Sequence, residues 1–318
     1  MKVLFIADHH IKLGQKDVPI EWAELRFCNM WNEVEEIARG RGITTIIHGG
    51  DIFDSVPSMP ELAIYGYMLE VLKGFRNIIY PGNHEAVTKH TSFMCHLRAL
   101  SQASIVDDYI PEEEVMQLFW VPNTAILPYT DLKKKNWHGD TGKILFTHVR
   151  GAIPPHVTPE IDLDLFEGWD TVIAGDLHSH KLSQRNIVYP GSPASTTFRR
   201  SESAGGDNGI LIIDTITNEW EFVNLGLPQL IKATVTREED IIPTYPNHTV
   251  YELVGAETSV SKVKHKDLVS KKISNVEVED GSIHLSTGSV QDELAEYLKE
   301  KKGIQDASPY VSLMEEIT

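Results

Sequence analysis

Cysteine is nearly missing from this chain of 318 residues, which carries only Cys28 and Cys95. Two thiols rule out a disulfide framework, and no cysteine pattern suits a structural zinc module. Cys28 falls in a helical pattern, so both thiols read as buried and free, in a reducing, cytoplasmic setting. Long apolar runs are missing too. None approaches a membrane span, and residues 1–6 are too short an apolar stretch for a signal peptide, so no membrane is expected. Positive charge is scarce: 29 Lys and Arg face 46 Asp and Glu, a formal net charge of −17. That balance argues against a broad basic surface for nucleic acid. No internal repeat or low-complexity tract occurs. An apolar fraction of 41% is ordinary for a soluble globular protein, and the length suits one large domain plus a smaller one.

What is present centres on Tyr80-Pro81-Gly82-Asn83-His84-Glu85. It follows the apolar run Asn77-Ile78-Ile79-Tyr80, which reads as a buried strand stopped by Pro81 and Gly82. Asn83 and His84 thereby offer an amide oxygen and an imidazole at a strand's C-terminal edge, where open α/β sheets hold their ligands. Alone, Gly-Asn-His is also compatible with a simple loop. Four other strand ends carry the same chemistry.

Upstream, residues 2–7 form an apolar strand leading into Asp8-His9-His10, and Trp22, Phe27, Met30, Trp31, Val34 and Ile37 space a helix over 22–39. Residues 43–48 form a strand ending in Gly49-Gly50-Asp51-Ile52-Phe53-Asp54, and a second helix spans 61–74. Strand, helix, strand, helix, strand is the grammar of a parallel, helix-flanked sheet. Short strands are expected over 119–121 and 125–129, and longer ones over 143–147, ending at His148, and 171–174, ending at Gly175-Asp176-Leu177-His178. Residues 186–189, 209–214 and 220–223 read as hairpin strands closing a second sheet, with Thr217-Asn218 as a turn. Composition shifts near Leu227-Pro228. Strands over 230–235 and 249–254, five lysines within 262–272 and a helix capped by Ser289 read as a small appended α+β domain.

The strand ends thus contribute Asp8 and His10, Asp51, Asn83 and His84, His148, then Asp176 and His178. Such oxygen and nitrogen donors suit Mn²⁺, Fe²⁺ or Zn²⁺. Two metals ~3.5–4 Å apart would clamp a phosphate and activate a hydroxide between them. Bound cations also reconcile an acidic chain with a phosphate substrate.

Taken in order, Asp-x-His, Gly-Asp-x-x-Asp, Gly-Asn-His-Glu, a lone histidine after a strand and Gly-x-x-His resemble the calcineurin-like metallophosphoesterases. Residues 47–54, the Val188-Tyr189-Pro190-Gly191-Ser192-Pro193 stretch and the appended segment are similar to the SbcD branch. These are the bacterial members of the meiotic-recombination-eleven nucleases, and the likeness extends to their bacteriophage recombination-endonuclease relatives. It covers residues 1–225 by motif and the rest by layout.

The resemblance implies an α/β fold: a four-layer α-β-β-α sandwich of two stacked mixed sheets over residues 1–227, with a small α+β domain over 228–318 capping DNA. It implies two Mn²⁺, with Mg²⁺ as substitute. Asp8, His10 and His178 would hold one ion, Asn83, His148 and Asp176 the other, and Asp51 would bridge. The family usually has His where this chain has Asp176, a carboxylate that favours Mn²⁺ or Mg²⁺ over softer metals. His84 resembles the histidine that orients the phosphate and protonates the leaving 3′-oxygen, work for which an imidazole is suited near neutral pH. Glu85 would support the ligands from behind.

The activity so implied is in-line attack of a metal-bridged hydroxide on DNA, giving 3′–5′ exonuclease and single-strand endonuclease action in recombination and double-strand-break repair. The implied partners are DNA, an SbcC-type coiled-coil ABC ATPase, and a second copy of the chain meeting residues 61–71 and 93–100. A small-molecule or cyclic-nucleotide phosphodiesterase suits the acidic surface better but leaves residues 228–318 without a purpose. A non-catalytic scaffold for the ATPase has no need of His84.

Fourteen histidines make chance matches expected. His9 and His180 flank ligands but alternate away from them, His48 sits inside a strand as a core residue, and Asp54 reads as a loop anchor. Arg150, Arg199 and Arg200 are candidates for the DNA backbone, the alternative for each being a solvated surface. Lys133-Lys134-Lys135 and the 262–272 lysines read as solvated faces, the latter also as a candidate DNA contact.

Overall fold

Alternation along the first strand sets the layers. In β1 (Lys2–Ile6), Val3 and Phe5 point one way and Leu4 and Ile6 the other, and all four are fully buried. Leu4 and Ile6 pack with Phe27, Met30, Trp31 and Val34 of α1 (Ile20–Gly40). Val3 and Phe5 pack instead against Ile144, Phe146 and Ile173, which belong to a second sheet. The two sheets therefore share one apolar interior, with Phe5 stacked on Phe146 at a ring separation of 5.6 Å.

The computed structural model describes residues 1–98, 103–132, 140–200, 206–255 and 260–273, with short stretches between 294 and 308. Helix α1 follows Pro19 and ends before Gly42, whose φ of +65° is the left-handed turn that glycine supplies after a helix. After β2 (Thr45–His48), α2 (Met59–Val71) begins in a capping box between Ser58 and Glu61. Next come β3 (Arg76–Ile79), the small hairpin β4 (Ala86–Thr88) and β5 (Thr91–Ser92), α3 (Met94–Leu97) and β6 (Ser104–Ile105). The second sheet takes β7 (Thr124–Leu127), β8 (Gly142–His148), β9 (Trp169–Gly175) and β10 (Ile187–Val188), all paired parallel. After β11 (Arg199–Arg200), the chain returns through β12 (Gly209–Asp214) and β13 (Glu219–Asn224).

The first sheet runs β13-β12-β1-β2-β3-β6. Its β12 lies antiparallel to β1, while β1, β2, β3 and β6 are parallel, so it is mixed as expected. The second sheet is parallel throughout, which departs from the expectation of two mixed sheets. The reason is the β12–β13 hairpin: it closes the first sheet, not the second, and brings the antiparallel edge with it. The outer face of the second sheet is covered by short elements, α5 (Tyr129–Leu132) and a 3₁₀ turn at Leu163–Phe166, whose Leu132, Leu163 and Phe166 pack on Leu145 and Val172.

Residues 119–121, expected as a strand, instead end α4 (Glu112–Phe119). Three glutamates in its first turn favour the helix dipole, and Val115 and Phe119, one turn apart, bury together. The cysteines are free but not both buried: Cys28 is half-buried and Cys95 exposed. No described helix is long and apolar enough to cross a membrane.

Two compact units form, one of Met1–Leu253 with Lys264–Lys271, the other of Val254–Val263 with Lys272–Thr318. In the first, β14 (Leu230–Val235) pairs parallel with β11 and with β15 (His248–Gly255), and Leu230 packs on Val18 and Ala23. Leu268–Ile273 is a strand carrying Lys271 and Lys272. Lys133, Lys134, Lys135, Leu100, Ser289 and residues 310–314 lie outside the described residues.

Phe146→Ala would remove one partner of the ring pair between the sheets, at a site with no solvent exposure. The expected cost is about 3–5 kcal/mol, read as a lowered midpoint in urea denaturation.

Candidate metal centre

Parallel pairing of β1, β2 and β3, and of β8 and β9, brings the five loops that follow these strands to one edge. The loops leave the strands abruptly. Asp8, His10, Asp51 and Asp176 all adopt positive φ, at 57°, 47°, 52° and 105°. Such backbone conformations are unfavourable for non-glycine residues and persist where the surroundings hold them, commonly at functional sites. The β8–β9 register sets His148 opposite Gly175, so Asp176 and His178 follow directly beside His148.

The side chains converge. Asp51 Oδ2 lies 3.7 Å from His10 Nε2, 3.5 Å from His148 Nε2 and 3.9 Å from His84 Nε2. His10 Nε2 is 3.0 Å from His178 Nε2, and Asp8 joins His10 and His178 in one group of possible ligands and Asp51 and His148 in another. Two of these imidazoles are hydrogen-bonded through the other nitrogen, and the third faces a carboxylate there. His148 Nδ1 donates to the Gly49 carbonyl at 2.8 Å, His178 Nδ1 meets Thr196 Oγ1 at 3.2 Å, and His10 Nδ1 faces Asp54 Oδ1 at 3.5 Å. All three therefore present Nε2 to the centre, the arrangement that orients metal-ligating histidines. Asp8 is fixed by the Asp176 amide, which donates to both its oxygens at 2.9 and 3.1 Å.

Glu85 locks two of the loops together. Fully buried, it accepts from the backbone amides of Asp51, Phe53 and Gly82, each at 2.9 Å. Gly82 is required by this closeness. A Cβ there would stand 2.2 Å from Asp51 Oδ1 and 2.7 Å from His148 Cε1.

Charge follows from burial and crowding. Burial alone would lower His148, but Asp51, Asp8 and Asp176 outweigh it and carry its pKa to about 10. Burial raises Asp8, with Asp51 adding to the effect and His148 opposing it. Burial would raise Asp51 as well, yet His148, His10 and His84 hold it below the ordinary carboxylate range. His178 falls to about 3, through burial and then the neighbouring His10.

The donor set fits divalent cations. Asn83 Oδ1 sits 2.8 Å from His148 Nε2, and the same corner of its carboxamide lies 3.1 Å from Asp176 Oδ1 and 3.2 Å from Asp51 Oδ2. Oxygens packed so closely repel one another unless a cation lies among them or the amide turns to donate. Asp8, Asp51 and Asp176 supply negative charge, and the imidazoles supply neutral nitrogen once deprotonated.

All seven expected ligands and His84 meet at this edge. His84 is exposed, unlike the buried Asp8, His10, Asp51 and His148. Its Nδ1 donates to the Asp54 carbonyl at 2.6 Å and its ring meets that of His10 edge-on at 4.7 Å. His9 and His48 turn away, 3.4 Å apart and against Trp31, and His180 stacks on Phe222. Asp54 does more than anchor a loop, since it stands between His10 Nδ1 and Lys12. Its place in Gly-Asp-x-x-Asp was the available signal. Ser192 lies within the Val188–Pro193 motif, and its hydroxyl donates to the Asp8 carbonyl at 2.7 Å. Thr196 carried no signal.

The three candidate DNA arginines differ. Arg150 grips Asp176 through two hydrogen bonds, and Arg199 pairs with Asp207 at 3.0 Å. Arg200 is exposed.

Gly82→Ala should abolish divalent-cation binding, measured by calorimetric titration with Mn²⁺, because Asp51 cannot keep its position. Binding in the unaltered protein should weaken as pH falls from 8 to 6. The raised His148 keeps its proton through neutral pH and must release it to bind, and the raised Asp8 takes up more proton on acidification. For each proton displaced, affinity drops about tenfold per pH unit. Titrations in buffers of different ionisation enthalpy should show that release directly.

Residues 1–180 match the model of the calcineurin-like phosphoesterase family. The chain is also 39% identical over 306 residues, 94% of its own length and 93% of the relative's, to the protein of Escherichia phage T5 called "Probable exonuclease subunit 1". With those two likenesses and a metal-ready centre at the strand ends, the chain belongs to the calcineurin-like phosphoesterases.

Proposed function

We propose that this chain is the nuclease subunit of a DNA-processing complex, a Mn²⁺-dependent 3′–5′ exonuclease and single-strand endonuclease working with an SbcC-type ATPase in recombination and break repair. The observation that carries the reading is Asp51 Oδ2 within 3.5–3.9 Å of three imidazole nitrogens, one of which belongs to the exposed His84. The phage T5 relative bears the name of an exonuclease subunit, and a subunit has a partner.

Asp8, His10 and His178 are proposed to hold one cation, Asn83, His148 and Asp176 the other, and Asp51 both. Two such ions supply Lewis acidity toward a phosphoryl oxygen and toward water. The protein's own residues do the rest. Asp51 and Asn83 fix the distance between the two halves of the centre. Glu85 and Ser192 hold the loops against the charge they carry. His84, with Nδ1 committed to the Asp54 carbonyl, has Nε2 as its proton-exchanging atom. It faces the centre, where it would give a proton to the leaving 3′-oxygen.

Residues 228–318 are proposed to cap DNA, and a second copy of the chain is proposed to meet residues 61–71, where Tyr67 is exposed, and residues 93–100. A net charge of −17 leaves DNA attraction to the bound cations and to the ATPase.

His84→Ala should keep Mn²⁺ binding and lower turnover by roughly 10²–10⁴-fold, whereas Asp51→Ala should lose both. Degradation of linear plasmid and hydrolysis of bis-nitrophenyl phosphate, each with Mn²⁺, provide the two assays. Turnover of the small ester with no action on DNA, even with the ATPase added, would replace the nuclease reading by a small-molecule phosphodiesterase.

A further inference from the structure

Arg150 entered as a candidate contact for the DNA backbone, yet its charge is already spoken for. Its Nε donates to Asp176 Oδ2 at 2.9 Å and its Nη2 to Asp176 Oδ1 at 3.1 Å. On its other side Nη1 lies 3.8 Å from Glu160, which in turn accepts from the Tyr129 hydroxyl at 3.0 Å. A guanidinium bracketed by two carboxylates has little attraction left for a phosphate.

The pair is built by the sheet. Strands β8 and β9 run parallel with His148 beside Gly175, and the Val149 amide donates to the Gly175 carbonyl at 3.2 Å. Arg150 and Asp176 therefore emerge on neighbouring turns. The two partners differ in environment: the Asp176 side chain is 3% exposed and that of Arg150 38%. Asp176 also stands at a φ of 105°, so its carboxylate is aimed by a constrained backbone. Its two oxygens do different work. Oδ2 accepts from Arg150 Nε, while Oδ1, shared with Nη2, points into the centre, 3.1 Å from the Asn83 carboxamide and 3.9 Å from His148 Nε2.

We propose that Arg150 is a positioning residue of the second cation site, which turns Asp176 so that a single oxygen faces the ion and balances the charge that this carboxylate adds. The inference rests on the two-cation reading of the centre. A planar fork gripping a carboxylate at both oxygens fixes its plane, which a lysine's point charge does not. Without the grip, Asp176 is free to rotate toward His148 or to take the ion through both oxygens. A neutral ligand at this position would need no such counter-charge.

Mn²⁺ titration followed by calorimetry and by electron paramagnetic resonance tests this. The unaltered protein should bind two ions, giving the signature of a coupled pair. Arg150→Ala should weaken one of them by about 10–100-fold and leave the other unchanged, and Arg150→Lys should recover only part of the loss. In an Asp176→His background, Arg150→Ala should have no further effect. Equal affinities in Arg150→Ala and the unaltered protein would overturn the inference, as would the same loss with His at position 176. A loss confined to the KM for DNA would return Arg150 to a phosphate contact. Asp176→Ala separates the two levels: one ion lost there, with Arg150→Ala silent, sinks only the role of Arg150. Both ions retained in Asp176→Ala removes the underlying site assignment as well.

Discussion

A single buried carboxylate ties this centre to its scaffold. Glu85 accepts three backbone amides, from Asp51, Phe53 and Gly82, and so joins the loop after β2 to the loop after β3. Hydrogen bonds to an ionised acceptor are worth about 1.5–3 kcal/mol each, against a desolvation cost of several kcal/mol for the charge itself. The clearest consequence is geometric. Asp51 has its amide held from one side by Glu85 and its Oδ1 held from the other by the His84 amide at 2.9 Å. Oδ2 is left to the imidazoles.

The sheets act at longer range. Because Val3 and Phe5 pack inward against the second sheet while Leu4 and Ile6 pack outward on α1, neither sheet can slide without exposing a full apolar face. Tyr80 adds a polar tie across the interior, its hydroxyl donating to the Thr147 carbonyl at 2.8 Å. Asp8 and Asp51 from the first sheet thereby stay in register with His148 and Asp176 from the second. The centre is assembled by two sheets, the first supplying Asp8, His10, Asp51 and Asn83 and the second His148, Asp176 and His178.

Much of this was legible in the chain itself, for a local reason. Asp8, Asp51, Asn83, His148, Asp176 and His178 each follow an apolar strand within one or a few residues, so strand assignment and ligand assignment were one task. What depended on tertiary register was not legible. The grip of Arg150 on Asp176 exists because β8 and β9 align His148 with Gly175, which no spacing within either strand announces. The β12–β13 hairpin had a clear pattern, but periodicity says nothing of which sheet a hairpin joins. At residues 112–119, helix-dipole chemistry from three glutamates prevailed over the β-like look of the residues that follow. Asp54 and Ser192 sat within recognisable motifs, yet their partners, His10 and the Asp8 carbonyl, lie on another loop.

The left-handed backbone at Asp8, His10, Asp51 and Asp176 has a bearing on how such a chain can drift. Each holds a conformation that costs on the order of 1–3 kcal/mol, and glycine would relax it. Heat tolerance and chemistry therefore pull these four positions in opposite directions, and a lineage kept only for its fold would shed its carboxylates and imidazole there while growing sturdier.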